Sequence, residues 1–382
     1  MIKFDATTKV VISDNLTSDI WNLLQEENAV TIVMLVDENI AKNEHFIDLK
    51  NYLDKKTKLS TSFIKSKEPT TDMVNELTSH FQGDNIDIFI GIGGGSIIDL
   101  TKAVSVMAVN DGRVEDYHGT GKEFKAGIKK IMIPTTAGTG SEVTPGAVLL
   151  NTNTNFKRAI SGRYIIPHYA VLNPNLTLSM PDSIIASTGM DALAHSIESY
   201  TAKSANIITK MYSKQAFSLV YNNLLKVFED RQNISVRQNL LLGSCLAGYA
   251  IYNSNTGACH SMAYPLGIYN NIPHGVAVAY LLSKIVKVNI EKGCLLYADL
   301  YELIEGVEKK TKQKDKVEIF LSLLEIYTPI KHIDKKFADY GVNESNYEFL
   351  AERGLDLTPA LSNNPVEFGF ADAKRVLNEL LR

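Results

Sequence analysis

The sequence is short of the features that mark several protein classes. Its three cysteines (Cys245, Cys259, Cys294) are scattered and odd in number. That speaks against a disulfide framework and fits reduced thiols in a cytoplasmic protein. No apolar run reaches the length needed to span a bilayer, and residues 1–9 lack the charged-then-apolar order of an export signal. A net charge of -4 leaves no basic footprint for nucleic acid. Repeats and low-complexity stretches are absent. Segments 187–200 and 256–276 hold no Lys or Arg at all, so a phosphorylated substrate would find no cationic partner there.

What is present is a globular composition, 45% hydrophobic and 21% charged. A chain of 382 residues is too long for one ordinary core, so two domains are expected, 1–181 and 182–382. The first half reads as an α/β dinucleotide-binding domain with a Rossmann-like parallel sheet. Residues 9–13 and 59–65 are strands, and Ala29–Val36 is an almost continuous β-branched run, the pattern of an interior parallel strand. Asp37 closes that run, where open α/β sheets bind ligands. A carboxylate there either accepts from ribose hydroxyls and repels a 2′-phosphate, favouring NAD over NADP, or caps the next turn. Asn85–Ile92 is a strand, Gly93-Gly94-Gly95-Ser96 a turn and Ile97–Ala108 a helix. This arrangement brings bare backbone N–H groups against a phosphate, or is simply a tight turn. A second strand, Lys129–Pro134, runs into the hydroxyl-lined loop Thr135–Thr144. Two such loops after two apolar strands point to a dinucleotide cleft.

From about residue 182 strand signals vanish, and the second half reads as all-helical, with helices at 183–201, 207–227, 235–253, 256–264, 276–291 and beyond, including 330–340. Within it, Asp191 and His195 are four apart and share a helix face. His260 and His274 lie in Gly/Pro-punctuated segments poor in charge. One carboxylate and three imidazoles suit Fe2+, Zn2+ or a similar ion with room for a substrate oxygen. Such a pair is otherwise a helix-surface feature or a capped polar group of the core. These residues come from the second half and the Gly/Thr loops from the first, so the active site is expected in the cleft between domains.

Four segments together resemble the iron-containing (group III) alcohol dehydrogenases, within the wider dehydroquinate synthase-like fold. They are Gly93–Lys102, Pro134–Thr144, Thr188–His195 and the spaced pair His260/His274. The resemblance implies hydride transfer between a nicotinamide and an alcohol, aldehyde or ketone, with metal at Asp191, His195, His260 and His274. It implies cofactor contacts at Asp37, Gly94, Gly95, Ser96, Thr135, Thr136, Thr139, Val148, Lys157 and Leu176. The chain departs from the family pattern in three places. Tyr264 stands where many members carry a His, Glu68-Pro69 where many carry Asn-Pro, and Tyr249-Ala-Ile-Tyr252 where a Phe often lines the pocket. Tyr264 is thus a candidate catalytic group in place of the usual proton relay, and the substrate is expected to be polar, in the manner of an octulosonate-type sugar acid. The alternative is a non-redox lyase of the dehydroquinate synthase kind. A homodimer or larger homo-oligomer is the expected assembly.

Overall fold

Runs that are apolar on both faces become the middle of a sheet. The computed structural model describes residues 2–65, 68–154, 156–308, 310, 312–327, 329–333, 335 and 337–380. The chain divides into two compact units, one formed by Ala6–Thr136 with Gly140–Met180, the other by Ala137–Thr139 with the chain from Pro181 onward and a short N-terminal piece.

The first unit carries β1 (Lys9–Ile12), β2 (Thr31–Asp37), β3 (Lys58–Ile64), β4 (Ile88–Gly93), β5 (Lys129–Pro134), β6 (Gly146–Asn151), β7 (Phe156–Ser161) and β8 (Tyr169–Leu172). Six of them form a sheet in the order β1-β8-β5-β4-β2-β3, all pairs parallel. β2 and β4 are buried almost throughout, as their sequences require. Helices α1 (Leu16–Glu26) and α2 (Glu44–Lys56) cover one face, burying Ile20, Leu24, Phe46 and Leu49 against Ile32, Met34 and Val36. Helices α3 (Thr71–Phe81) and α4 (Gly95–Met107) cover the other, against Val33, Leu35 and Phe89. The direction of winding reverses between β2 and β4, because β3 follows β2 outward and the chain then returns to β4. Ligands of open α/β sheets bind at such a reversal, beyond the C-terminal strand ends. The antiparallel hairpin β6–β7 packs Ala147, Leu149 and Ile160 onto the α4 side. This hairpin and β8 were not among the expected strands. β7 is mostly exposed, and β8, though apolar throughout, is only four residues long, so neither stands out as β2 does.

The second unit is helical among its described residues. It comprises α5 (Asp182–Thr201), α6 (Ile207–Leu224), the single turn α7 (Lys226–Glu229), α8 (Ile234–Ser254), α9 (Ala258–Asn270) and α10 (His274–Glu291). Helices α11 (Tyr297–Tyr301), α12 (Gln313–Ile326), α13 (Tyr347–Gly354), α14 (Thr358–Asn363) and α15 (Phe370–Leu380) follow. α5 is buried along most of its length and packs against α6, α8 and α10. A helix buried on all sides is an interior helix, so the polar residues along it need partners. α9 continues past the expected end at Tyr264, through Pro265, to Asn271 in the left-handed region. The lost hydrogen bond at Pro265 is offset by burial of Met262 and Leu266 on either side. The helix expected over 330–340 is instead seen as two 3-10 turns, Pro329–His332 and Phe337–Tyr340, with residues 334 and 336 outside the described residues. No helix among the described residues is long and apolar enough to cross a membrane.

Candidate metal centre and nucleotide loops

On α5, Asp191, His195 and Glu198 recur at i, i+4 and i+7, an ionisable stripe on a buried helix. Asp191 and His195 are both buried. His260 enters from the first turn of α9 and His274 is the first residue of α10. Gly275 lets α10 press onto α5, since a Cβ there would lie 2.5 Å from the Ser187 carbonyl oxygen. The outcome is convergence on one oxygen. Asp191 Oδ1 lies 3.3 Å from His260 Nε2, 3.6 Å from His274 Nε2 and 3.9 Å from His195 Nε2. The His195 and His260 rings stack, with centroids 4.4 Å apart. The His274 side chain is 31% exposed while the other three are nearly closed off, so the centre is reached from the His274 side.

The polar atoms at the focus are not satisfied by the protein. Asp191 Oδ1 and His260 Nε2 are buried and, although 3.3 Å apart, do not meet hydrogen-bond geometry. A buried orphan of this kind is costly. Ligand atoms of Asp191, His195 and His260 all lie within 4.8 Å of one another, close enough to bind one divalent ion. The outward nitrogens are engaged elsewhere. His195 Nδ1 meets the Gly138 carbonyl at 3.3 Å, and His260 Nδ1 meets Glu198 Oε2. Electrostatics follow the same geometry. Burial pushes the Asp191 carboxyl up, but the imidazoles of His195, His274 and His260 outweigh it and hold it well below the usual carboxylate range. Burial pushes His195 down to about 4. Burial also works against the His260 cation, but Glu198 and Asp191 prevail and raise it to about 10. An ionised carboxylate facing imidazoles is a donor set that fits Fe2+ or Zn2+.

Tyr264 lies one turn beyond His260 on α9, its ring centroid 5.8 Å from that of His274. Tyr249, by contrast, packs edge-on against Tyr212 at 5.7 Å.

In the α/β unit, three of the expected cofactor segments meet at the strand ends flanking the winding reversal. Asp37 ends β2. Its Oδ1 accepts from the Asn39 backbone N–H at 3.0 Å and side-chain amide at 2.9 Å, so one oxygen caps the next turn. A Cβ on Gly93 would lie 3.2 Å from Asp37 Cβ, and one on Gly94 3.3 Å from the Thr136 methyl. Thr135 N–H donates to the Gly93 carbonyl at 3.0 Å. Gly94 is the N-cap of α4 and offers no side-chain cap, and Gly95 and Ser96 open the helix. Val148 sits on β6, its N–H donating to Asp99 Oδ2 at 2.9 Å. Lys157 sits on β7, paired with Glu68 at 2.5 Å. Leu176 is fully buried in the sheet core, and Thr139 belongs to the segment grouped with the helical unit. The structure thus gathers Asp37, Gly94, Thr135 and Thr136 closely, whereas the Leu176 side chain is committed to packing.

Two groups of residues were not singled out from sequence. One is Glu198, whose signal was its place on the Asp191/His195 face. The other is a network around Lys102, signalled by an Asp and a Lys three apart in the apolar helix α4.

Comparison with known proteins gives the chain a family. The family described as iron-containing alcohol dehydrogenase matches residues 7–174, and its Fe-containing alcohol dehydrogenase C-terminal domain matches residues 185–381. Long-chain-alcohol dehydrogenase 1 of Geobacillus thermodenitrificans is 31% identical over 312 residues, covering 81% of this chain and 78% of that protein. The crystal structure of a 1,3-propanediol oxidoreductase superposes over all of both chains with a TM-score of 0.91 at 27% identity. Sulfoacetaldehyde reductase from Bifidobacterium kashiwanohense, solved with NAD+, gives 0.88 at 25% identity, covering 100% of this chain and 98% of that one. Nothing in these relatives favours a lyase. The chain belongs to the iron-containing alcohol dehydrogenase family and is an oxidoreductase that interconverts an alcohol and a carbonyl compound.

Proposed function

We propose that the substrate is a small, polar or otherwise functionalised alcohol and its aldehyde or ketone. The cofactor is NAD(H) in preference to NADP(H), with Fe2+, or Zn2+ in its place, held by Asp191, His195, His260 and His274. The observation that carries the metal assignment is the buried, unbonded pair Asp191 Oδ1 and His260 Nε2. A bound divalent ion supplies a Lewis acid and the nicotinamide a hydride carrier.

The chain's own groups do the rest. A single carboxylate among three imidazoles leaves a divalent centre with net positive charge, which favours an electron-rich substrate oxygen. Burial of Asp191, His195 and His260 keeps water from competing on their side, and the half-open His274 side admits the substrate. Gly94, Gly95 and Ser96 present backbone N–H groups and a hydroxyl to phosphate, and Thr135, Thr136 and Thr139 add further donors. Asp37, with one oxygen already used for capping, accepts from the adenosine ribose and disfavours a 2′-phosphate. Val148, Lys157 and Leu176 complete the proposed cofactor contacts. Tyr264 is assigned a substrate hydrogen bond and a share in moving the proton.

Support for a polar substrate comes from the hydroxyls of Tyr264 and Tyr252 and the carboxylate of Glu68, at positions where the chain departs from the family pattern. It also comes from the named substrates of the structural relatives, 1,3-propanediol and sulfoacetaldehyde. A hydroxylated sugar acid suits the same features. Self-association is proposed from the edge strand β1, where Val10 and Ile12 are exposed. The deciding experiment is NAD(H) turnover by chelated protein, before and after anaerobic Fe2+ or Zn2+. The panel would hold short aldehydes, hydroxyaldehydes and sugar-derived carbonyls. Turnover restored by metal is expected, and full turnover by metal-free protein would overturn the assignment.

A further inference from the structure

We infer that Glu198 is the positioning residue of the metal centre. Through one carboxylate it fixes both the proton of His260 and the register of α9 on α5. This rests on the metal reading above.

Glu198 is buried on α5, on the same face as Asp191 and His195. Its two oxygens have separate partners. Oε2 meets Nδ1 of His260, and Oε1 accepts from the backbone N–H of Cys259 at 2.7 Å. The second contact has a structural reason. α9 begins after Gly257, which has no side chain with which to cap it, and the first N–H groups of a helix need acceptors from elsewhere. Glu198 supplies one across from α5, and Asn364 Oδ1 supplies another to Ala258 N–H at 3.3 Å. A carboxylate at a helix N-terminus is also favoured by the helix dipole. Gly257 makes the approach possible, since a Cβ there would lie 2.9 Å from Glu198 Oε1.

The first contact has a chemical consequence. An ionised carboxylate only accepts hydrogen bonds. Nδ1 of His260 must therefore keep its proton, which leaves Nε2, 3.3 Å from Asp191 Oδ1, as the nitrogen that gives up its proton to face an ion. Carboxylate–histidine pairs of this kind orient metal ligands and raise their affinity. Asp191, His195 and Glu198 share one helix, so the ligands on α5 and the ligand on α9 are tied together by the residue that caps α9.

Glu198→Gln separates the two roles. Its amide oxygen still accepts from Cys259 N–H. Its NH2 then faces His260 Nδ1, which must become an acceptor, and the ring proton moves to Nε2, where it blocks the ion. The expected result is a loss of about 10- to 100-fold in Zn2+ affinity, measured by competition with a chelator. NADH binding should stay near wild type. Unchanged Zn2+ affinity in Glu198→Gln would overturn the proposal. A second measurement does not depend on the variant folding. In Zn2+-loaded wild type, long-range 1H–15N spectra of 15N-histidine protein should show the His260 proton on Nδ1, and a proton on Nε2 would overturn it equally. Failure of wild type itself to bind Zn2+ would remove the metal reading and this proposal with it, a result distinct from a defect confined to the variant.

Discussion

Two clusters of buried charge, one in each unit, are solved in opposite ways. In the α/β unit the Lys102 ammonium is wholly buried, yet it donates to Ser141 O and Oγ at 2.9 Å, to Asp99 Oδ1 at 3.3 Å and to Thr144 Oγ1 at 3.4 Å. Asp99 is in turn satisfied by the Ser141 hydroxyl and by Val148 N–H. Burial still lowers Lys102 against the pull of Asp99, but no atom of this network is left over. It ties the hydroxyl loop and strand β6 to α4. In the helical unit the Asp191 cluster leaves two atoms without hydrogen bonds, and both are aimed at one point. Burial of charge alone therefore does not mark a ligand site. A closed network holds structure together, and an open one holds a place for something else.

The largest expected effect comes from breaking the open cluster. His260→Ala or His274→Ala should lose metal and lower turnover by roughly 10³-fold, the equivalent of several kcal/mol of electrophilic stabilisation, while NADH binding by fluorescence persists. Retained turnover would place the chemistry elsewhere. Breaking the closed cluster should appear in stability. Lys102→Met leaves Asp99 without its cation and should cost roughly 3–5 kcal/mol by denaturant titration, whereas Lys102→Met with Asp99→Asn, which removes the charge but keeps an acceptor for Val148 N–H, should recover part of that loss. An unaffected single variant would show that the network is not a structural tie.

Lys130 tests the middle ground. It is a buried cation whose Nζ donates to the neutral Tyr164 carbonyl at 2.7 Å. Burial and the Lys102 charge push it down to about 7 from the ordinary 10.5. Between these values the unfolded chain binds one more proton than the folded one. Stability from this group therefore rises with pH across the window, on the order of 1 kcal/mol per pH unit, and the penalty is full below it. Lys130→Met should flatten that slope in pH-resolved denaturation, and an unchanged slope would refute the assignment. His168, pushed down to about 4 by burial and the nearby lysines, acts in a lower window. The smallest effect is expected at the partly exposed Glu68–Lys157 pair. Glu68→Gln should change stability by less than about 1 kcal/mol and NADH affinity only a few-fold, more at low salt. A large, salt-independent change would make Glu68 part of the cofactor site proper.

Much of the fold was legible because local pattern and burial coincide. The β-branched run at Ala29–Val36 cannot place one face in water, so it had to be an interior strand, and the Gly93–Ser96 turn follows from its glycines. β7 was not legible, since Phe156-Lys-Arg-Ala-Ile-Ser is mostly exposed and takes its strand conformation from pairing with β6. The end of α9 was misplaced because Pro265 reads as a stop, whereas packing carries the helix past it. Of the candidate site, Asp191 and His195 could be paired from helical spacing alone. Asp37 could not be resolved, because a carboxylate at a strand end caps and binds with the same atoms, and the structure shows one oxygen capping.

The order of residues along the chain determined which groups share a helix face or a strand end, because helix and strand periods are local. That was enough to propose the ligand types and the nucleotide loops. Only the tertiary structure decided that one oxygen of Asp191 meets imidazoles from α5, α9 and α10, that Glu198 reaches across to His260, and that Lys102 is fully satisfied. Those outcomes depend on how closely separate helices approach and in which register, which glycines such as Gly257 and Gly275 permit but no local period specifies.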